Sequence, residues 1–276
     1  MKRSRTLARR CPRSNLAKVP ELPDVEGFRR VLSGNAAGKR IEAIEAPDRT
    51  LLRNTTPTAL GQALTGHRFR EPDRHGKWLI VSADRAVVLM HFGMTGLLEW
   101  APQGWDRHIH DRVVFVYRDA ELRYRNMRKF GGIWLASDPR AVTGALGPDA
   151  QTLRREQFHE LLTGRRGGIK AALMDQRLVA GLGNLLSDEI LWRARVNPRA
   201  AISDLRPKRR DAIYDALRET LRGSVRAGRV PHGPNWLTAV RDQRDASCPR
   251  CGAKLRKGTV AGRSACWCPR CQRARR

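Results

Sequence analysis

The chain has 276 residues, enough for one large domain or two ordinary ones, and 41% of them are hydrophobic, so a real core can form. A formal net charge of +27 biases it toward an anionic partner: nucleic acid, an acidic protein or a charged membrane surface. Aromatic residues make up only 6%, which argues against extended base-stacking platforms for single strands, and no apolar run is long enough to span a membrane.

Residues 1–19 are basic and lack the apolar centre of a secretory signal. They read as a disordered extension. A first folded domain is expected over residues 20–147. Val25, Phe28, Val31 and Leu32 have helical spacing. Short β-rich runs follow: Trp78–Val81, Ala86–Met90, Val113–Tyr117 and Leu122–Tyr124. Turn signals at Ala83-Asp84-Arg85 and Asp119-Ala120 separate them, which suggests a mostly antiparallel sandwich or barrel.

After a loop at residues 144–149 the pattern turns helical. Four stripes are visible: Phe158, Leu161 and Leu162; Ile169, Leu173 and Met174; Leu185, Leu186, Ile190 and Leu191; Ile213, Leu217 and Leu221. Pro207 suits the first turn of the last helix. Residues 229–247 are loop-like, and no internal repeat is visible.

The chain closes on Cys248-Pro-Arg-Cys251 and Cys268-Pro-Arg-Cys271, two pairs separated by 16 residues. Each is a knuckle offering two thiolates to one ion. Four thiolates complete a tetrahedral zinc shell with no position left for a catalytic water, so one structural Zn2+ is expected, holding a hairpin too small for a core of its own. Metal ligation rather than disulfide bonding fits a reducing compartment, the cytoplasm or nucleoid. Cys266 reads as a bystander, and Cys11 lies in the extension. Arg263, near the expected hairpin tip, suits a phosphate probe.

Further motifs occupy the rest of the chain. Pro20-Glu21-Leu22-Pro23-Asp24-Val25-Glu26 would make a good helix start on capping grounds alone. Arg74-His75-Gly76-Lys77-Trp78-Leu79, His91-Phe92-Gly93-Met94-Thr95-Gly96, Arg128-Lys129-Phe130-Gly131 and Ala180-Gly181-Leu182-Gly183-Asn184 follow in order. With the zinc pairs, this series resembles the formamidopyrimidine-DNA glycosylase / endonuclease VIII family over nearly the whole chain from Pro20.

The resemblance implies an α+β fold with three parts. An N-terminal catalytic β-sandwich with flanking helices would span 20–147. A helix-two-turn-helix DNA-binding bundle would span 148–240, and a zinc-ribbon hairpin 241–276. It implies a monomeric base-excision-repair glycosylase and AP lyase acting on duplex DNA with oxidised bases or abasic sites. Pro20 would be the amine nucleophile at C1′ and Glu21 the general acid/base. Lys77 would contact the phosphate beside the lesion; the lesser alternative is a surface lysine before a strand. A base worked on by an enzyme must leave the stack. Met94, Arg128 and Phe130 match the residues that fill the gap, although core packing is the commoner fate of Met and Phe. Asn184 would be both helix cap and phosphate ligand, a plain N-cap being the simpler reading. Lys170 matches a further DNA-contact position.

Two departures bear on function. Pro20 follows Val19, and an amide-bonded proline has no nucleophilic amine, so three alternatives stand: a true start that exposes Pro20, the preferred one; cleavage of the extension; or use of Lys77, or of no lyase chemistry at all. Residues 223–247 are shorter than the corresponding stretch of the family, which contains the loop that covers an extruded 8-oxoguanine, and this leaves oxidised purines and oxidised pyrimidines both open. A non-catalytic, structure-specific DNA-binding protein on the same scaffold is the competing function. A zinc-ribbon RNA-binding protein would explain the cysteines and charge but none of the earlier motifs.

Overall fold

The computed structural model describes residues 19–84 and 86–273. The extension up to residue 18, with Cys11, and Arg85 of the expected turn lie outside the described residues. By contacts the chain divides into two compact units. The first holds Pro20, Phe28–Arg74 and Trp78–Gly144; the second holds Glu21–Gly27, His75–Lys77 and the chain from Ala145 onward. Two short pieces of the expected 20–147 segment thus group with the C-terminal part, and the zinc segment is no separate unit.

The architecture is α+β. Among the described residues helix α1 (Leu22–Asn35) comes first and is followed by β1 (Ala43–Glu45). Helix α2 (Pro57–Leu64) starts where Thr56 Oγ1 accepts from Ala59 N and Pro57 occupies the first turn. The strands β2 (Asp73–His75), β3 (Trp78–Ala83), β4 (Ala86–His91), β5 (Gly96–Pro102), β6 (Asp111–Val116), β7 (Ala120–Asn126) and β8 (Gly132–Ala136) complete two four-stranded sheets. Their orders are β1-β6-β7-β5 and β2-β3-β4-β8.

Alternation explains β3, whose Leu79, Val81 and Ala83 are buried while the intervening residues are not. Phe69 meets Phe115 at 5.3 Å and Phe92 meets Tyr124 at 5.5 Å between ring centroids, in the core of this unit. Strand β7 breaks the simple pattern: all its residues are buried, charged ones included. Each charge has a partner. Arg123 Nε lies 2.7 Å from Glu121, and Arg125 lies 2.6 Å from both Asp111 and Glu99. Buried charges persist only when compensated in this way.

The second unit adds α4 (Arg155–Leu162), α5 (Ile169–Met174), α6 (Asn184–Arg193) and α7 (Pro207–Ala227), after the short α3 (Arg140–Thr143) of the first. Pro207 stands in the first turn of α7, and Gly228 ends it in the left-handed region at φ 63°. Helix α7 therefore takes in Gly223, the first residue of the shortened 223–247 stretch, and the loop-like part begins after Gly228. Helix α6 is buried from Leu185 to Trp192, as a central helix must be. Phe158, Ile169, Leu186, Ile190, Ile213 and Leu217 share its core.

Strands β9 (Arg256–Val260) and β10 (Arg263–Trp267) form the terminal hairpin. Ala261 and Gly262 turn it with φ of 50° and 71°, as a tight two-residue connection needs. The cysteine knuckles pack against the rest of the unit. Trp192 of α6, Leu237, Leu255 and Cys266 pack with them in one buried cluster. No described helix is long and apolar enough to cross a membrane.

Candidate functional site

In the second unit, Glu21 stands just ahead of α1 and is 1% exposed. Its carboxylate accepts from the backbone N–H groups of Gly183 and Leu185 at 2.7 Å and of Leu186 at 3.2 Å. These are amides at the start of α6, which have no partner inside the helix, so the positive end of a helix holds a carboxylate. Sequence reasoning expected a phosphate at this end and Asn184 as the cap. Instead Gly183 is the N-cap and Asn184 the first helical residue. Asn184 Nδ2 donates to Ser264 Oγ at 3.0 Å. A Cβ on Gly183 would stand 2.5 Å from Glu21 Oε1 and 2.6 Å from Lys77 Nζ. Glycine is what lets the two charged groups close on the helix end.

Asp24 completes the acidic part, accepting from Glu21 N at 2.8 Å. Burial, reinforced by the neighbouring Glu21 charge, pushes Asp24 up to about 6 against the pull of backbone donors. Burial also holds Glu21 above the ordinary carboxylate range, opposed by Lys77 and the three amides. Lys77 is depressed, first by burial and then by Arg263, while Glu21 and Asp24 resist. The lysine is carried by a knuckle fastened within this unit: Gly76 N donates to Asp149 Oδ2 at 2.6 Å, and His75 Nε2 lies 3.0 Å from Gly147 O. A carboxyl poised to keep or release a proton, beside a cation, suits general acid/base work at a sugar or a leaving base. Pro20 immediately precedes Glu21; it is buried and counts by contacts with the first unit.

Arg263 is exposed at the first position of β10. Lys170 is the expected DNA contact that the structure moves elsewhere. Its side chain is fully buried, 2.7 Å from Asp188 Oδ1, and its ammonium donates to Ser264 O at 2.6 Å. An ammonium so enclosed does not offer itself to a phosphate.

The thiols of Cys248, Cys251, Cys268 and Cys271 lie within 4.8 Å of one another. Zn–S bonds of about 2.3 Å set tetrahedral S···S edges of about 3.8 Å, and Cys251 Sγ is 3.5 Å from Cys268 Sγ and 3.4 Å from Cys271 Sγ. The set fits one zinc ion, four-coordinate, closed and structural. Cys266 is buried outside this set.

The first unit carries the other cluster. Phe130 is 52% and Met127 44% exposed, so Phe130 is not core, while Met94 in the turn after β4 is half-buried. The Arg128 guanidinium lies 5.3 Å from the centre of the Phe130 ring. The backbone of this loop is held tightly. Asn126, fully buried, donates to Phe130 O at 3.0 Å and accepts from Lys129 N at 2.9 Å. Thr95 Oγ1 accepts from Arg128 N at 3.0 Å. Arg53 donates to Gly131 O at 2.6 Å and Lys129 O at 3.1 Å. Gly93, at φ 59°, comes so close that a Cβ there would overlap Phe130 O. The sequence pointed to Met94, Arg128 and Phe130 but not to exposed Met127, nor to the supporting Asn126, Thr95 and Arg53; the single usable signal was an asparagine directly ahead of the Met-Arg-Lys-Phe turn.

Comparison with known proteins follows the same order along the chain. Residues 19–133 match a family model described as the formamidopyrimidine-DNA glycosylase N-terminal domain. Residues 145–232 match the H2TH domain of the same enzyme, and 248–274 a zinc finger found in it and in IleRS. A formamidopyrimidine-DNA glycosylase of Methylococcus capsulatus is 32% identical, over 92% of this chain and all of that protein. One from Symbiobacterium thermophilum is 34% identical, over 92% of this chain and 89% of the other. Among solved structures, the Lactococcus lactis enzyme bound non-covalently to DNA containing an AP site is similar at a TM-score of 0.85, with 31% identity, 92% of this chain and all of the other. The Lactococcus lactis enzyme with DNA containing N7-benzyl-Fapy-dG is similar at 0.84, with the same identity and coverage.

Proposed function

The chain belongs to the formamidopyrimidine-DNA glycosylase family, and on that premise we propose that it is a base-excision-repair DNA glycosylase that removes damaged bases from duplex DNA and can carry an AP lyase step. The observation that carries the proposal is the buried Glu21 carboxylate on the amides of Gly183, Leu185 and Leu186, with Lys77 beside it. A carboxyl raised by burial can protonate a departing base or a sugar oxygen and then take the proton back.

In this reading Pro20 supplies the nucleophile. Its unprotonated secondary amine attacks C1′, the C1′–N bond breaks, and the base leaves with a proton. The amine then loses its proton and the C1′–O4′ bond opens, O4′ taking a proton from Glu21, which gives the iminium; this makes the C2′ proton and then the C4′ proton acidic, and their removal expels phosphate first from C3′ and then from C5′. The amine must be free, so the lyase step is expected of a chain beginning at Pro20 and not of one in which Val19 acylates it. Met94, Arg128 and Phe130 fill the space vacated by the flipped nucleotide, the aromatic ring as a wedge and the guanidinium toward the widowed base. Lys77, Asn184 and Arg263 contact backbone phosphate. The zinc supplies structure, holding the hairpin that bears Arg263. The working place of such a protein is the cytoplasm or nucleoid.

Excision assays on duplexes carrying 8-oxoguanine, a formamidopyrimidine or thymine glycol, beside an undamaged duplex, test the reading. Base release from at least one damaged duplex and none from the undamaged one is expected, and the ranking fixes the preferred lesion. Tight binding to an abasic duplex with no release from any would favour a non-catalytic DNA-binding role.

A further inference from the structure

Three charges lie buried together in the second unit. Lys170 is 0%, Asp188 1% and Arg241 7% exposed. Asp188 sits on α6. Its Oδ1 lies 2.7 Å from Lys170 Nζ, and its Oδ2 accepts from Arg241 Nη2 at 2.7 Å and from Cys266 N at 3.2 Å. Lys170, on α5, also donates to Ser264 O. The cluster therefore grips two backbone groups of β10, one directly after Arg263 and one three residues along. Asn184, at the start of the same α6, adds its bond to Ser264 Oγ.

Removing three charges from water is costly, and a close-packed apolar cluster would hold a hairpin to a helix at least as firmly. Apolar packing is non-directional, however, and does not fix which residue of a strand sits where. Hydrogen bonds aimed at Ser264 O and Cys266 N do. We propose that the buried Lys170–Asp188–Arg241 cluster is a positioning device that sets the register of β10 on α6, and so the placement of Arg263 for its phosphate. Lys170, Asp188 and Arg241 touch no DNA and act through Arg263. The inference rests on Arg263 being a DNA contact, as in the proposed function.

The test is a double-mutant cycle. The parent chain, Lys170→Met and the apolar triple Asp188→Leu/Lys170→Met/Arg241→Leu are each made with and without Arg263→Ala. Binding to a duplex with a tetrahydrofuran abasic analogue is measured from 50 to 200 mM salt, with zinc content, Tm and single-turnover excision on the same preparations. In the parent, Arg263→Ala should weaken binding about 10-fold and lower the salt slope by about one. The triple variant should keep its zinc and its Tm, since such apolar replacements are often neutral or stabilising. It should already bind about 10-fold more weakly, and adding Arg263→Ala should cost less than about twofold, because coupled residues are non-additive. Excision at saturating DNA should change little. Lys170→Met, which keeps the Asp188–Arg241 pair, should show the same non-additivity in smaller measure, and it decides the matter if the triple loses zinc.

Wild-type affinity and full Arg263 sensitivity in the triple, or in Lys170→Met where the triple loses zinc, would overturn the inference, leaving the cluster as packing. So would an Arg263→Ala change without effect in the parent. Excision by the parent without coupling defeats this inference alone. Coupling without excision defeats the enzymatic reading and leaves the positioning device standing.

Discussion

The two candidate clusters solve opposite problems with the same materials. Around Glu21 a side chain is buried and backbone amides hold it: the carboxylate lies on the N–H groups of Gly183, Leu185 and Leu186. In the Arg128–Phe130 loop the side chains are exposed and buried side chains hold the backbone: Asn126 and Thr95 bind Phe130 O, Lys129 N and Arg128 N. A group that exchanges protons benefits from desolvation, which shifts its proton affinity. A wedge needs its surface free and its backbone fixed, so that no ordering entropy is lost when it enters a duplex.

If the Glu21 side chain is the proton carrier, Glu21→Gln keeps the shape and removes the titration. Single-turnover excision should fall about 10³-fold, with affinity for an abasic duplex within a few-fold of the parent. Equal losses in both would merge the two clusters into one binding surface. A smaller perturbation comes from the backbone side. Gly183→Ala forces a methyl against Glu21 and Lys77, and a displaced general acid should slow excision roughly 10²-fold, with the circular dichroism spectrum unchanged.

The wedge proposed for Phe130 is tested by Phe130→Ala. Excision from duplex DNA should drop about 10-fold while Tm stays nearly constant, because the exposed ring packs on little. Fluorescence of 2-aminopurine beside an abasic site should report less unstacking on binding. The smallest effect is on stability. Asp24 has a folded value near 6 against 3.8 for the free group, so the folded state holds this proton more tightly. Stability then falls as pH rises from about 4 to about 6, and the deficit persists above that. Asp24→Asn should therefore raise Tm at pH 8 and leave it unchanged near pH 4, the full shift being worth at most ~3 kcal/mol. A gain of the same size at both pH values would contradict the assignment.

Much of this was legible in the chain. Periodicity located α1, β3, β4, β6, β7 and the four long-range helical stripes, and cysteine spacing located the zinc. The misses share a cause. Strand β5 carries Glu99 and Trp100 on a run that alternates poorly, and β8 is only five residues long. Glu21 was legible as a motif residue, but its bond to Gly183 crosses 162 positions, and no local pattern reports such a pair. Lys170 was read as a DNA contact because its position on the helical stretch matches one in the resembled family. The acid that buries it, Asp188, stands in a stripe otherwise read for its leucines. Asn126 is one residue before an exposed turn, and nothing in the spacing says that its amide faces inward.

Schiff-base chemistry at Pro20 is tested most directly by borohydride trapping on an abasic duplex. The 276-residue chain should be compared with one beginning at Pro20. A covalent adduct with the shorter chain, lost in a Pro20→Gly/Glu21→Gln variant, is the predicted result. Absence of an adduct from either chain, with tight binding retained, would contradict Schiff-base chemistry at Pro20.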